Sequence, residues 1–180
     1  MTCIVGLRQG NKVYIGGDSA GITTGWDLTL RADPKVFTLG EYAIGFTTSF
    51  RLGQLVRFRL KPPKPPKSRR RLYPFMVEQF AEATRECLKT GGMATREKEA
   101  EQGGTFIVGV HGRLFIVESD YQIVEPSLPF AAVGSGAPYA LGSLATSRGN
   151  PLARVRRALS IAEQFSAGVR GPFQVLIAPS

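Results

Sequence analysis

The residues best suited to chemistry lie at the start of the chain, where Thr2 directly follows Met1. Thr is small enough for the preceding methionine normally to be trimmed, and trimming would place a hydroxyl nucleophile and a free α-amine on one residue. An α-amine titrates at about 7.7 to 8, so near neutral pH it can act as a general base for that hydroxyl. The ionised hydroxyl needs a buried cation, and the cation needs a carboxylate. Lys35 and Asp18 are the candidates for these two roles.

Other catalytic and metal centres lack the residues that they need. His111 is the one histidine, and it falls in a predicted hairpin turn with no nucleophile placed beside it. One histidine and two distant cysteines, Cys3 and Cys87, supply too few ligands for a metal site. We therefore expect neither a metal nor a cofactor.

A glycine-rich stretch at 134–140, Gly-Ser-Gly-Ala-Pro-Tyr-Ala, fits the loose dinucleotide-binding pattern. No following parallel strand is evident, and no acidic ribose ligand stands about twenty residues further on, so this interpretation is weak. Two alternatives remain open. The stretch is either a tight turn that places Ser135 at a site or a plain turn at the start of a helix.

Two predicted β-hairpins would position the candidate residues. Apolar runs at 3–7 and 13–17 flank turn residues at 9–12, which predicts a hairpin that returns Asp18 to the chain start. Lys35 lies near the start of the next strand, at 33–39, which is joined to 42–46 by a turn at Gly40-Glu41. The first 46 residues therefore resemble a β-meander.

Helical periodicity then appears in two pairs of segments. Ser49 is placed to cap a helix with apolar residues from 50 to 60, and 72–88 carries the clearest amphipathic stripe. The pattern favours a short surface helix at 94–102. Strands are predicted at 105–110, 114–117, 121–124, 130–133 and 172–178, and helices beginning near Pro138 and Pro151. This order indicates an α+β fold, which we interpret as a single domain over residues 1–180.

Composition indicates an ordinary globular protein. The chain is 43% hydrophobic and 21% charged, and 180 residues suffice for one domain with a core. No apolar run approaches the ~20 residues of a membrane span, and the chain start lacks the features of a signal peptide. Two cysteines do not make a disulfide framework, so we expect a cytoplasmic setting and no membrane partner.

Positive charge is concentrated in one segment of a chain whose net charge is +9. Residues 57–71 contain eight basic residues and no acidic one, and four prolines predict an extended loop at 61–71, inserted between two helices. The loop is either a solvated connection or an electrostatic dock for an acidic partner, with Arg69, Arg70 and Arg71 as candidate contacts. No aromatic residue interrupts 61–71, which disfavours nucleic-acid binding.

The chain resembles the proteasome β-subunit type of N-terminal nucleophile hydrolase. The chain is close in size to the bacterial two-ring threonine protease that works with an unfoldase ATPase, and the resemblance is strongest to stand-alone proteasome-like proteins of bacteria and their phages. It implies a four-layer αββα sandwich, a homo-oligomeric ring, a peptide or protein substrate and, as an open question, an unfoldase partner. The matching motifs are Thr2-Cys3-Ile4-Val5, Gly16-Gly17-Asp18-Ser19, Lys35-Val36, Ile44-Gly45-Phe46, the glycine-rich stretch at 134–140 and the pattern of 158–173.

The resemblance also implies roles for individual residues. Thr2 would be the nucleophile through its hydroxyl and the base through its amine, with Asp18 and Lys35 tuning that pair. Ser135 would hydrogen-bond near the amine, and Ser19 would have a supporting place beside the aspartate.

Two positions depart from the pattern of that family. Thr48 stands where the family has a glycine whose backbone N–H helps to form the oxyanion hole; the donor survives, but a side chain now projects there. Ser166, a supporting residue, stands where an aspartate is common, and it supplies no charge. Two hypotheses follow: a threonine-type amide hydrolase, most simply a peptidase active after Met1 removal, or an inactive ring or scaffold protein that binds an acidic partner through its basic loop.

Overall fold

The elements are assigned from a computed structural model, which describes residues 1–93, 95–97 and 100–179. The strands are β1 (Ile4–Gln9), β2 (Lys12–Gly17), β3 (Ala20–Ile22), β4 (Leu28–Leu30), β5 (Val36–Leu39), β6 (Tyr42–Phe46), β7 (Thr95–Glu97), β8 (Ala100–Gln102), β9 (Phe106–Val110), β10 (Arg113–Val117), β11 (Ile123–Val124), β12 (Phe130–Val133) and β13 (Gln174–Ile177). The helices are α1 (Phe50–Phe58), α2 (Arg69–Phe75), α3 (Ala81–Thr90), α4 (Ala137–Thr146) and α5 (Pro151–Phe165), and a π-helical turn, Met76–Phe80, joins α2 to α3.

Two antiparallel sheets form the centre of the molecule. One has the strand order β12-β1-β2-β13, and the other has the order β11-β10-β9-β6-β5. Two small hairpins, β3–β4 and β7–β8, lie apart from both sheets. No helix within the described ranges is long and apolar enough to cross a membrane.

Three apolar clusters separate four layers of structure. Helices α1 to α3 cover the five-stranded sheet, and the first cluster, which includes Leu52 and Phe80, lies between them. Helices α4 and α5 cover the four-stranded sheet, and the second cluster, which includes Leu159, lies between those two layers. A third cluster, which includes Ile4 and Ile107, fills the space between the sheets. The chain therefore has the predicted αββα order, and both faces of each sheet are buried, which explains the nearly continuous apolar strands.

Glycine lets the two sheets approach closely. A Cβ atom on Gly45 would lie 2.5 Å from a side-chain carbon of Ile4 on the opposite sheet, and one on Gly6 would lie 2.6 Å from Leu114. Such distances are shorter than real Cβ contacts, so a side chain at either position would push the sheets apart.

Two sequence predictions, for residues 61–71 and 94–102, are wrong. Arg69, Arg70 and Arg71 are not in an extended loop but form the first turn of α2, because the last proline of the basic segment comes before Ser68. The described part of 94–102 forms the hairpin β7–β8 rather than a helix, since cross-strand pairing overrides local helix propensity there. Residues 94, 98 and 99 of that prediction lie outside the described residues.

Candidate active site

The hairpin β1–β2 brings the chain start back to Asp18, as the sequence predicts. Ile4 pairs with Gly17 in this antiparallel ladder, so the residues just before β1 and just after β2 are neighbours. A Cβ on Gly17 would lie 3.0 Å from Val36, the first residue of β5, so the glycine allows β5 to start close by. Lys35 immediately precedes β5, so its side chain lies close to Thr2 and Asp18 at the ends of β1 and β2.

Thr2, Asp18 and Lys35 form one buried hydrogen-bonded group. Lys35 Nζ donates to Thr2 Oγ1 at 2.5 Å and to both carboxylate oxygens of Asp18 at 3.0 Å. The side chains of Lys35 and Asp18 are 1% and 0% exposed. The carboxylate also accepts from the backbone N–H groups of Cys3, at 3.0 Å, and Ala20, at 2.9 Å. Its position is therefore fixed from several sides.

The environment separates the roles of the two titratable groups beside Asp18. Burial lowers the pKa of the Lys35 ammonium from its ordinary 10.5, while the charge of Asp18 opposes that change by raising it. For the Cys3 thiol, burial and then the Asp18 charge raise the pKa to about 12. Cys3 is thus a neutral core residue, and the Thr2 hydroxyl is the oxygen that the lysine contacts.

The glycine-rich turn at 134–140 contacts the other side of Thr2. The Thr2 backbone N–H donates to Ser135 Oγ at 3.2 Å, and Ser135 Oγ lies 3.2 Å from Ser166 Oγ. Gly134 has a φ of +95°, and a Cβ there would lie 2.3 Å from the Thr2 carbonyl oxygen. Only glycine fits such an approach. The turn thus agrees with both interpretations that the sequence left open, because it begins α4 and also brings Ser135 beside Thr2.

Thr48 forms another wall of the site in an unusual backbone conformation. Its φ is +67°, a region that β-branched residues rarely adopt. Thr48 Oγ1 accepts a hydrogen bond from the Thr105 backbone N–H at 3.2 Å, which offsets part of that strain. Among the hydrogen bonds of the described residues, none uses the Thr48 backbone N–H, so this donor is free for a ligand.

Thr2, Lys35 and Thr48 border a cleft of about 230 Å³. Its lining residues are Met1, Thr2, Ile22, Lys35, Phe46, Thr47, Thr48, Ser49 and Phe50. No group of three or more His, Cys, Asp or Glu side chains suited to a metal ion occurs among the residues that the structure describes.

Three solved structures resemble this arrangement over almost the whole chain. BPH of Thiobacillus denitrificans superposes with a TM-score of 0.78 at 18% identity, covering 97% of this chain and 96% of its own. The same protein in complex with epoxomicin superposes with a TM-score of 0.77 at 18% identity, with 97% of each chain covered. HslV of Trypanosoma brucei superposes with a TM-score of 0.71 at 17% identity, with 99% of each chain covered. The chain has the proteasome-type N-terminal nucleophile hydrolase fold. The fold predicted from the resemblance is thus confirmed, although no protein-family model and no curated protein sequence matches the chain.

The remaining predicted residues occupy two different places in this N-terminal nucleophile fold. Ser19 makes no hydrogen bond to Thr2; its hydroxyl donates to the Pro172 carbonyl at 2.6 Å and ties the end of β2 to the segment before β13. The three arginines of α2 lie at the far end of the sandwich, where Arg69 donates to Asn11 in the β1–β2 turn at 3.0 Å. The six residues of β2 separate that turn from Asp18 by about 20 Å.

Several residues that line the cleft are not predicted by the sequence as site residues, and Phe50 and Met1 are the two that matter most here. The sequence pattern places Phe50 only among the apolar residues of α1, yet it lines the cleft as the first residue of that helix. Its position directly after the Ser49 cap was the available signal, because first-turn side chains often remain accessible. Met1 also lines the cleft, and its side chain lies against Gly168, where an added Cβ would come 2.0 Å from Met1 Cβ. While Met1 is present, the Thr2 nitrogen is an amide and not an amine.

Proposed function

We propose that this chain is a threonine-type amide hydrolase, a proteasome-like peptidase that uses Thr2 as its N-terminal nucleophile once Met1 is removed. The contact between Lys35 Nζ and Thr2 Oγ1, at 2.5 Å inside a cleft, is the observation that carries the proposal. A buried ammonium beside a hydroxyl favours the ionised oxygen, which is the nucleophilic form. Asp18 holds the ammonium in place from the opposite side.

The steps of the reaction follow from these positions. After trimming, the α-amine of Thr2 accepts the proton of its own hydroxyl, and Oγ1 attacks the substrate carbonyl to form a tetrahedral intermediate. The backbone N–H of Thr48 donates to the oxyanion of this intermediate, and Ser135 orients the amine. The protonated amine then gives its proton to the leaving amine as the C–N bond breaks, which leaves an acyl ester on Oγ1; water, deprotonated by the same amine, hydrolyses the ester to free the site. Ser166 adds a hydrogen bond without adding charge.

The decisive experiment compares four proteins by intact mass and by turnover of small fluorogenic amides. We expect the wild type to lack Met1 and to hydrolyse amides, Thr2→Ala and Lys35→Ala to be inactive, and Thr2→Ser to keep measurable turnover. A trimmed wild-type protein that hydrolyses nothing beyond what Thr2→Ala hydrolyses would overturn the proposal. A chain that keeps Met1 in its native host would do the same, since the base is then absent.

The similar proteins support a ligand-binding function for the fold, because the Thiobacillus protein was solved in complex with epoxomicin. An unfoldase ATPase partner and a cytoplasmic location stay predictions.

Assembly into a homo-oligomeric ring is part of the proposal. The hairpin β3–β4 exposes Trp26, Leu28 and Leu30 by 72%, 46% and 55%, and it pairs with neither main sheet. An isolated two-stranded hairpin with an apolar surface is marginal in water, so a second subunit is its expected cover. Native mass spectrometry should detect oligomers for the wild type and smaller species for the double variant Trp26→Ser/Leu30→Ser. A wild type that is monomeric at micromolar concentration would remove this part of the proposal.

A second candidate function is an inactive scaffold that binds an acidic partner. The exposed basic side chains Lys61, Lys64, Lys67, Arg70 and Arg71 favour it, because none has an ion-pair partner among the described residues. The segment is also held in place: the Tyr42 hydroxyl donates to the Pro63 carbonyl at 2.6 Å.

A poly-glutamate peptide is the probe for this second function. We expect affinity to fall steeply with salt and to be lost in Arg70→Glu/Arg71→Glu, but not in the control Arg156→Glu/Arg157→Glu, which reverses two adjacent exposed arginines on α5. Binding that survives in Thr2→Ala while amide turnover is absent from the wild type would favour the scaffold over the enzyme. A flat salt response would eliminate it.

A further inference from the structure

The cleft beside Thr2 is separated by two aromatic rings from a second, smaller cavity. That cavity measures about 20 Å³ and is lined by Asp33, Pro34, Phe46, Phe50, Gly53, Gln54, Arg57 and Phe58. Phe46 and Phe50 line both spaces, so together they form the partition between them. The accessible depth of the cleft is therefore set by where these two rings stand.

Phe46 is the immobile half of the partition. It lies in β6, is buried, and rests on Gly53 of α1, where an added Cβ would come within 2.2 Å of the ring. Moving this ring would require β6 and α1 to separate, which the close packing of the core opposes.

Phe50 is the movable half, and side chains outside the core hold it. Its ring meets Phe46 edge-to-face, with centroids 5.7 Å apart and planes at 82°. The Arg31 guanidinium lies 3.8 Å above the Phe50 centroid, and Arg31 in turn donates to Asp33 through two nitrogens at 2.8 and 2.7 Å. This cation–π contact holds the Phe50 ring where it separates the cleft from the second cavity, which we call the closed position. The Arg31 and Asp33 side chains are both partly exposed, so their contacts can break without disturbing the core.

We propose that Phe50 sets the size of the substrate side chain accepted beside Thr2, and that Arg31 is the positioning residue that keeps Phe50 closed. This inference rests on the proposed amide hydrolase. It assigns the enzyme to substrates that carry a small side chain, such as Ala, on the residue whose carbonyl is attacked. A Leu or Phe side chain at that residue meets the Phe50 ring. Removing the ring joins the cleft to the cavity in front of Arg57 and Phe58.

The test uses fluorogenic amides that differ only in the attacked residue, Ala, Val, Leu or Phe. For the wild type, kcat/KM should favour the Ala substrate over the Phe substrate by about tenfold or more, since a misfit of a few carbons in a pocket is worth at least that. Phe50→Ala should reverse this ratio. Arg31→Gln should weaken the preference for the Ala substrate, mainly by lowering KM for large substrates. Arg31→Lys, which restores a cation, should return the ratio toward the wild-type value.

Phe58→Ala is the matched control, because Phe58 belongs to the same helix and lines only the second cavity. It should leave the ratio unchanged. The ratio is the readout throughout, so a general loss of rate from altered surroundings of Lys35, which lies 5.5 Å from the Phe50 centroid, does not affect the conclusion.

A parallel binding measurement separates this inference from the proposed function. Peptide acids ending in Ala or Phe are titrated into Thr2→Ala and into Thr2→Ala/Phe50→Ala by calorimetry. If no amide is hydrolysed but the affinity ratio changes about tenfold between these proteins, the proposed function is wrong and the role of Phe50 stands. If the wild type hydrolyses amides and neither ratio changes on removing Phe50, the inference is wrong and the function stands.

Discussion

Replacing the two members of the buried Lys35–Asp18 pair should have unequal effects on stability. In Lys35→Met, the Asp18 carboxylate loses the ammonium but keeps the backbone N–H groups of Cys3 and Ala20. In Asp18→Asn, the ammonium loses its counter-charge and keeps as acceptors only the Thr2 hydroxyl and one amide oxygen, while the new amide NH₂ faces N–H donors where a carboxylate oxygen accepted them. The second change therefore leaves more buried polar groups without partners.

Magnitudes follow from the partners that remain. Breaking a buried ion pair by removing one member usually costs about 3–5 kcal/mol, because the other charge stays buried. Two retained backbone hydrogen bonds should bring Lys35→Met down to about 2 kcal/mol. Asp18→Asn should lower the free energy of unfolding by about 5 kcal/mol at pH 7. The buried charge cannot cost more than this, because Lys35 can lose its proton instead. Deprotonating a lysine roughly 3.5 pH units below its ordinary pKa of 10.5 costs about 4.8 kcal/mol.

The pH dependence has a definite sign. In Asp18→Asn the pKa of Lys35 is lowered by burial with no carboxylate to oppose it, so the folded state binds fewer protons than the unfolded state below pH 10.5. Stability of this variant should rise with pH, by up to about 1.4 kcal/mol per unit, whereas Lys35→Met lacks that slope.

Urea denaturation at pH 7 and pH 9 measures both effects. Circular dichroism at 222 nm is the suitable signal, because Trp26 is exposed and its fluorescence would change little on unfolding. The reasoning is refuted if Lys35→Met is as destabilising as Asp18→Asn, or if the difference between the two variants is the same at both pH values.

Three further predictions concern the reaction, the Thr48 backbone and the packing of Met1. The rate of hydrolysis between pH 6 and 10.5 should rise through about 7.7–8 as the α-amine deprotonates, and fall before pH 10.5 because burial lowers the pKa of Lys35. In urea titrations, Thr48→Gly should stay within about 1 kcal/mol of wild type, since relief at positive φ offsets the lost Thr105 hydrogen bond. Thr48→Val keeps the strain without the bond and should cost about 2 kcal/mol. Gly168→Ala should lower the melting temperature of the chain that retains Met1 but not of a trimmed chain, because the new methyl group meets only Met1 among its three nearest contacts.

The parts of the site that the sequence predicted depend on local geometry. Asp18 returns to Thr2 because a two-residue turn fixes the register of β1 against β2. Lys35 joins them because a strand begins at the next residue. The apolar runs, the Ser49 cap and the prolines near the starts of α4 and α5 likewise act within a few residues, so the order of the elements, apart from the segment 94–102, was predictable.

The parts that the sequence did not predict depend on contacts between distant segments. Thr48 is held at positive φ by the backbone of Thr105, and this contact exists only because β6 pairs with β9. Phe50 faces the cleft because Arg31, on the segment after β4, lies over its ring. Neither contact leaves a periodic signal, since each joins single residues across loops whose course is set by tertiary packing.

In the proposed hydrolase, the geometry separates activation of the Thr2 hydroxyl from supply of the base. Lys35, Asp18 and the Thr2 hydroxyl are in contact while Met1 is still attached, so removal of Met1 is not needed to assemble them. Trimming adds one group only, the α-amine beside Ser135, whose hydroxyl already accepts a hydrogen bond from the same nitrogen. A site that is organised before its base exists has no reorganisation to complete when the base appears. Retention of Met1 therefore leaves an intact cleft without turnover, and trimmed and untrimmed chains should differ far more in rate than in stability.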